Sequence, residues 1–156
     1  MLDVLRFTLL LGLAAWLGML IFFTFFAAPS IFKVLPRELA GQVIGDIFSK
    51  YWMIGYVAGL LSLSSLLGIA FIEKSFPVAL IILLTAMTGI TFYSGLAVAP
   101  VARRLKAGIH SKPEPANKEA LERGFRKVHA KSAVLNLLVI SSGLAALYLV
   151  SRNLRF

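Results

Sequence analysis

The stretch that decides the fold of this chain is WMIGYVAGLLSLSSLLGIAFIEKSFPVALIILLTAMTGITFYSGLAVA, residues 52–99. It holds two apolar runs, about 52–72 and 76–99, separated by only Glu73, Lys74 and Ser75. Each run supplies the roughly 20 apolar residues that a helix needs to cross a bilayer core. Because a backbone in lipid has to satisfy its own hydrogen bonds, both runs are predicted as helices joined in a tight hairpin.

Two further apolar runs, about 7–28 and 133–150, flank this hairpin, and none of the four runs contains Asp, Glu, Lys, Arg or His. The first is too long for a signal-peptide core of about 7–15 residues and has no cleavage site after it, so we expect it to be retained. The sequence therefore predicts an all-α integral membrane protein, a four-helix transmembrane bundle built as two helical hairpins within one domain, residues 1–156.

The composition agrees with a membrane protein, with 59% hydrophobic and 15% charged residues and a mean hydropathy of +0.87. Soluble domains have about 45–50% apolar and about 25% charged residues, which excludes an ordinary globular domain. The chain has no cysteine, which excludes disulfides, thiolate metal sites and a cysteine nucleophile.

The basic residues are distributed unequally, and this predicts the orientation. Four of the 16 lie near the termini and in the turn at 73–75, while twelve lie in the two long connections. The positive-inside rule then predicts an inner-membrane protein with cytoplasmic connections and both termini outside. Several of these residues are expected to contact anionic lipids: Arg103, Arg104, Lys106, Arg123, Arg126, Lys127 and Lys131. Nucleic acid is not an expected partner, because only Phe125 is available for base stacking in this segment.

The two halves of the chain resemble each other. Ala28-Pro29 and Ala99-Pro100 end the first and third runs, and basic residues follow each proline. Two interpretations are open. The chain is a parallel 2+2 repeat, or the likeness is only what any two apolar hairpins with a proline at the membrane interface would show. Pro29 and Pro100 are predicted to kink their helices. Amphipathic segments precede the second and fourth runs, and these linker helices either lie at the interface or extend the next span.

The residues that could carry chemistry are few. His129, Ser132 and Asn136 share one helix face, and they either bind a small polar ligand or relay protons, or simply hydrogen-bond between helices. Met53 with His129 is a weak metal candidate, and no cofactor is expected. A stripe of small residues favours close helix packing, either within the hairpin or in a homo-oligomer: Gly55, Gly59, Ser62, Ser65 and Gly68.

Two elements resemble a known family. The first is F-x-x-x-A-x-P with the following L-P and A-G, covering Phe23 to Gly41, and the second is F-x-x-x-H-x-x-S-x-x-x-N, from Phe125 to Asn136. With both elements present, the chain resembles the transmembrane protein 205-like family, also catalogued as domain of unknown function 4149. The resemblance implies a four-helix membrane protein and supplies no reaction. Eukaryotic members are associated with tolerance of platinum drugs, which suggests export of a metal compound.

The function expected from the sequence is a transport or permeation unit for a small solute or metal compound. The alternative is a non-catalytic accessory subunit or assembly factor of a larger membrane complex. An enzyme is not expected, because no nucleophile and base are visible together.

The orientation yields the first prediction. A reporter fused after Phe156 is expected to score as extracytoplasmic, because the basic connections hold the opposite side in the cytoplasm. Paired reporters, one active only in the cytoplasm and one only outside it, measure this. A cytoplasmic C-terminus would contradict the assignment.

Overall fold

The computed structural model describes residues 1–111 and 114–153, and the elements assigned there are helical. The α-helices are α1 (Leu2–Phe22), α2 (Ala28–Val34), α3 (Arg37–Glu73), α4 (Val78–Tyr93), α5 (Ala99–His110) and α6 (Pro115–Asn153). Two π-helical segments, Phe23–Ala27 and Ser94–Val98, join α1 to α2 and α4 to α5.

These helices form four continuous rods, Leu2–Val34, Arg37–Glu73, Val78–His110 and Pro115–Arg152, each long and apolar enough to cross a membrane. The packing closes a ring, because α1 contacts α3, α3 contacts α4, α4 contacts α6, and α6 returns to α1. Consecutive rods are antiparallel. The predicted all-α, four-span membrane bundle is thereby confirmed.

The bundle has two chemically different ends. The turn end carries Met1, the last residues of α6 and the turn at 73–77, where Lys74 adopts a left-handed conformation (φ 50°) that stops α3. The basic end carries α2, α5 and the first turns of α3 and α6, and with them most of the Lys and Arg residues. The turn at 73–77 forms the tight hairpin that the sequence predicted.

Each of the two interfacial prolines follows a π-helical segment. The Ala28 N–H bonds to the Phe23 carbonyl and the Ala99 N–H to the Ser94 carbonyl, five residues back instead of four. Proline has no N–H and its ring crowds the preceding turn, so the helix widens there. Both rods then continue as α2 and α5, well past the ends of the predicted apolar runs.

The amphipathic linkers extend the spans that follow them. α3 runs without a break from Arg37 through the second apolar run, and α6 does the same from Pro115 through the fourth. The alternative of separate helices lying at the interface is wrong. At the basic end the Lys106 Nζ donates a hydrogen bond to the Gly41 carbonyl at 2.6 Å, which ties α5 to the start of α3.

The small-residue stripe of α3 packs against other helices of the same chain. A Cβ at Gly59 would lie 3.1 Å from both Thr88 of α4 and the Trp16 ring of α1, and one at Gly55 would lie 3.0 Å from Thr91. Ser62 and Ser65 are buried, and Gly68 faces Leu5 of α1. The stripe therefore packs against α1 as well as against its hairpin partner α4.

The approach of α1 to α3 gives the second prediction. A Cβ at Gly12 would overlap the Ser62 hydroxyl and lie 3.3 Å from the backbone carbonyl of Ala58, whereas Gly18 on the same helix has nothing within 4 Å. Gly12→Leu is expected to lower the free energy of unfolding by about 1–3 kcal/mol through overpacking. Gly18→Leu is expected to change it by less than about 0.5 kcal/mol.

Unfolding titrations in mixed detergent micelles measure both variants. Equal stabilities for Gly12→Leu and Gly18→Leu would show that α1 and α3 do not meet at this position.

Candidate functional site

A vestibule opens at the turn end of the bundle, with a volume of about 730 Å³. All four rods line it, and Ser75 and Pro77 of the turn contribute to its rim. An ion pair between Arg6 Nη2 and Glu73 Oε1, 2.6 Å apart, also lies in its lining. Both side chains are partly exposed, so the pair contributes about 0–1 kcal/mol to stability. Its main consequence is to place a positive and a negative group at the mouth.

The floor of the vestibule is apolar. Leu9, Leu66, Leu80 and Val150 come from the four different rods, and each is at most 6% exposed. Fully buried leucines lie one turn deeper, at Leu13 and Leu84. The bundle is thus closed below the vestibule by packed aliphatic side chains.

Polar groups without partners lie beyond this floor. Ser62 Oγ, Thr88 Oγ1, Trp16 Nε1 and Trp52 Nε1 are buried and have no hydrogen-bond partner within residues 1–111 and 114–153. Trp16 and Ser62 are 0% exposed. A buried polar group left unpaired costs about 1–3 kcal/mol, so four of them in one small bundle require an explanation.

Two of the residues that carry these groups, Trp16 and Trp52, also line a small cavity. Its volume is about 10 Å³, and Trp16, Trp52, Gly55, Ser94 and Asn136 are among the residues that line it. Met19, Tyr51 and Thr91 contribute further to the wall. The Thr91 hydroxyl is already used, since it donates to the Met87 carbonyl at 2.8 Å.

Three side chains close the bundle interior towards the basic end, and we call them the polar latch: Thr24, Tyr51 and Asn136. The Tyr51 hydroxyl donates to Asn136 Oδ1 at 2.7 Å, and Asn136 Nδ2 donates to Thr24 Oγ1 at 2.7 Å. Thr24 belongs to the first π-helical segment, Tyr51 to α3 and Asn136 to α6. The latch therefore joins three rods through two hydrogen bonds.

Aromatic rings pack against Tyr51 of the latch. The rings of Phe23 and Phe48 lie 5.3 and 5.6 Å from the Tyr51 ring, centroid to centroid. Tyr51 is 5% exposed as a result. Hydrogen bonds shielded in this way are stronger than exposed ones, and breaking one leaves its partner unsatisfied.

The structure separates the three residues that the sequence grouped on one face of α6. Asn136 belongs to the latch and Ser132 is half-buried, but His129 is exposed and stacks on Phe125 with centroids 6.1 Å apart. Met53 is 60% exposed on the outer face of α3. Within the described parts of the chain, no group of three or more His, Asp or Glu residues could hold a metal ion.

Sequence reasoning missed Thr24, Tyr51, Trp16 and Trp52 as members of the site. One signal was present, because Trp16 lies in the middle of an apolar run, whereas membrane tryptophans are enriched at the interfaces. A tryptophan at that depth needs a partner for its indole N–H, which indicates a polar interior.

The comparisons with known proteins show the family of this chain. Residues 11–111 match the family described as Domain of unknown function (DUF4149), which covers more than half of the chain. The chain belongs to the DUF4149 family. The matched residues contain the vestibule floor contributed by α3 and α4, both π-helical segments, and Thr24 and Tyr51 of the latch.

An uncharacterized protein of Aquifex aeolicus is similar to this DUF4149 chain, with 41% identity over 56 residues. The match covers 36% of this chain and 41% of the Aquifex protein, so it spans less than half of that relative. No solved structure matches the chain.

The basic residues of this DUF4149 protein have divided roles. Lys131 Nζ donates to the Tyr93 hydroxyl at 2.6 Å, and half-buried Lys106 bonds to Gly41, so both contribute to helix contacts. Arg123 lies 3.5 Å from Glu119 in an exposed pair. The remaining residues predicted to contact lipid are exposed at the basic end: Arg103, Arg104, Arg126 and Lys127.

The polar latch gives the third prediction. Tyr51→Phe and Asn136→Ala are each expected to destabilise the bundle, and the double variant is expected to lose less than the sum, with a coupling of about 0.6–1.7 kcal/mol. Tyr148→Phe is the matched control, because Tyr148 is 61% exposed. Unfolding in mixed micelles measures the cycle, and strictly additive losses would show that the Tyr51–Asn136 bond is absent.

Proposed function

We propose that this DUF4149 protein is a transport or permeation unit for small uncharged polar solutes. One observation carries the proposal. Buried polar groups that have no partner among the described residues lie between an open vestibule and the polar latch, at Ser62, Thr88, Trp16 and Trp52. A bundle that served only as a scaffold would gain stability by replacing these groups with apolar ones. Hydroxyl and indole groups along a pathway can instead exchange hydrogen bonds with a passing solute.

The chemistry of the interior favours an uncharged solute. No Asp, Glu, Lys, Arg or His lies within the four apolar runs, and a bare charge in the bilayer core is costly. A proton- or sodium-coupled mechanism normally uses buried Asp or Glu, which these runs lack. A soft metal compound would meet the single thioether of Met19 in the cavity wall, so we restrict the proposal to polar organic solutes.

Two closures control the proposed path. The first is the apolar floor of the vestibule, and the second is the latch between Thr24, Tyr51 and Asn136. Thr24 lies within a π-helical segment, where helix hydrogen bonding is irregular. A small rearrangement there costs less free energy than one in a regular α-helix. Movement of that segment would break one latch bond without unwinding a rod.

The proposed orientation places the basic end in the cytoplasm of a cell with an inner membrane. The excess of Lys and Arg at that end supports this orientation, and exposed Arg103, Arg104, Arg126 and Lys127 are positioned to contact anionic headgroups. The apolar outer faces of the rods are those that lipid requires, so no observation favours the accessory-subunit alternative.

Solute flux provides the fourth prediction. Purified protein in liposomes is expected to accelerate glycerol or urea entry, measured by light scattering after an osmotic step. Leu66→Ala is expected to increase the rate severalfold by thinning the floor. Asn136→Leu is expected to abolish flux, because the latch would then lack the amide with which a solute exchanges hydrogen bonds. Leu60→Ala is the matched control, since Leu60 on the same helix is 53% exposed.

Size-exclusion profiles and circular dichroism establish that each variant remains folded. Rates equal to those of protein-free vesicles for both the wild type and Leu66→Ala would overturn the proposal. Stoichiometric co-purification with a large complex from the native membrane, together with absent flux, would favour an accessory subunit.

A further inference from the structure

The mouth of the vestibule carries one charge of each sign. Among the described residues that line it, the charged ones are Arg6 and Glu73, with Arg6 Nη2 lying 2.6 Å from Glu73 Oε1. Their side chains are 45% and 35% exposed, so both groups are accessible to a ligand. A ligand with a single charge would be attracted by one group and repelled by the other at nearly the same distance. The mouth therefore favours a ligand that carries both signs close together.

The ion pair leaves most of its hydrogen-bonding capacity unused. Within residues 1–111 and 114–153, one hydrogen bond joins the two side chains, from Arg6 Nη2 to Glu73 Oε1. The other acidic neighbour, Asp3, lies 4.0 Å from Arg6 Nη1, which is beyond hydrogen-bond distance. A guanidinium has five N–H donors, and a carboxylate has two accepting oxygens. Arg6 can thus donate to a phosphate while Glu73 accepts from an ammonium, and Ser75 of the rim adds a hydroxyl.

These polar groups lie at the depth of lipid headgroups. Arg6 directly precedes the first apolar run, Glu73 directly follows the second, and Ser75 directly precedes the third. The apolar runs are the segments that cross the hydrocarbon core, and the headgroup layers flank that core on both sides. The polar side of the vestibule is therefore level with the headgroups of the adjacent leaflet.

The floor of the vestibule reaches the depth of the acyl chains. Leu66 of the floor precedes Glu73 by seven residues, which is about 10 Å along α3. A headgroup layer is only about 5–7 Å thick. The volume of about 730 Å³ is within the range of sites for small molecules, which combine apolar walls with a few polar groups. A ligand with its polar head at the mouth and its apolar chain on the floor has the orientation of a phospholipid in that leaflet.

We propose that the vestibule binds one phosphatidylethanolamine molecule of the surrounding bilayer. Its phosphate accepts hydrogen bonds from Arg6, its primary ammonium donates to Glu73, and the first methylenes of an acyl chain contact Leu66 and Leu80. Phosphatidylcholine has a quaternary ammonium without an N–H, and phosphatidylglycerol has no cation, so neither satisfies both side chains. The site depends neither on solute flux nor on which end is cytoplasmic. Lipid binding is measured without flux, so either proposal can fail alone.

Native mass spectrometry of the whole chain tests the lipid site. The protein is released from micelles that contain equal amounts of phosphatidylethanolamine, phosphatidylcholine and phosphatidylglycerol with the same acyl chains. The wild type is expected to retain phosphatidylethanolamine severalfold more than either other lipid. Glu73→Gln is expected to retain phosphatidylethanolamine and phosphatidylcholine equally, because the ammonium then meets no carboxylate. Asp3→Asn is the matched control, since the Asp3 side chain is 94% exposed at the same end and does not line the vestibule.

Two further variants separate the effect of charge from that of space. Arg6→Glu combined with Glu73→Arg keeps one charge of each sign at the mouth and is expected to keep the lipid preference. Ala79→Phe fills part of the vestibule without changing its charge and is expected to lower phosphatidylethanolamine retention severalfold. Ala86→Phe is its control, because Ala86 lies two turns further along the same exposed side of α4 and outside the lining.

Circular dichroism in micelles establishes that each variant is folded before its lipids are measured. Any of three results contradicts the inference. The first is equal retention of the three lipids by the wild type. The second is a phosphatidylethanolamine preference that survives in Glu73→Gln or in Ala79→Phe. The third is stronger retention of phosphatidylglycerol than of phosphatidylethanolamine, which would identify a site for anionic headgroups.

Discussion

The close approach of α1 to α3 is the contact on which the rest of the bundle depends. Gly12 meets Ser62 there, and the Trp16 ring fits over Gly55 and Gly59. Between helices in lipid there is no hydrophobic driving force, so association depends on such close packing and on interhelical hydrogen bonds. Because Trp16 takes up the space left by the two glycines, its indole N–H is carried into the interior rather than to an interface. That placement leaves the indole N–H buried, with no hydrogen-bond partner among the residues that the structure describes.

The prolines and the π-helical segments form a second constraint that both halves share. In each half an Ala-Pro pair follows a five-residue π-helical segment, and the helix continues into the basic end. The first segment brings Thr24 to Asn136. In the second, Gly95 leaves room for the rings of Tyr56 and Trp52, which a side chain there would overlap. Because this π-helical segment occurs in both halves, it supports a parallel 2+2 repeat. The side chains at the two positions make different contacts.

The interior of this DUF4149 protein is more polar than its packing requires. Within residues 1–111 and 114–153, hydroxyl and indole groups are buried without partners in the same bundle that seals its vestibule with leucine and valine. Polar groups in lipid without compensation are costly, and they mark functional positions in membrane proteins. Ser62 and Thr88 lie deeper towards the vestibule, and a passing solute in the proposed path would be their partner.

The sequence alone predicted the number of membrane spans, the tight turn at 73–75 and the end that carries most basic residues, because span length, hydropathy and charge are local properties. It also placed Asn136 inside the bundle, since a lone amide in an apolar run is expensive to expose. The rotation of each rod could not be predicted in the same way. In the first and third apolar runs hydropathy varies little around the helix, so the pattern gives no strong preference for one face.

Only the tertiary structure therefore decided that Tyr51 and Thr24 are the partners of Asn136, and that Trp16 faces Gly55. It also separated His129 from Asn136, because the part of α6 that carries His129 extends beyond the core of the bundle and exposes that face. The residues of the latch are far apart in the chain, and their meeting depends on helix rotation and on the widened π-helical turn. Both are properties of packed rods rather than of any single segment.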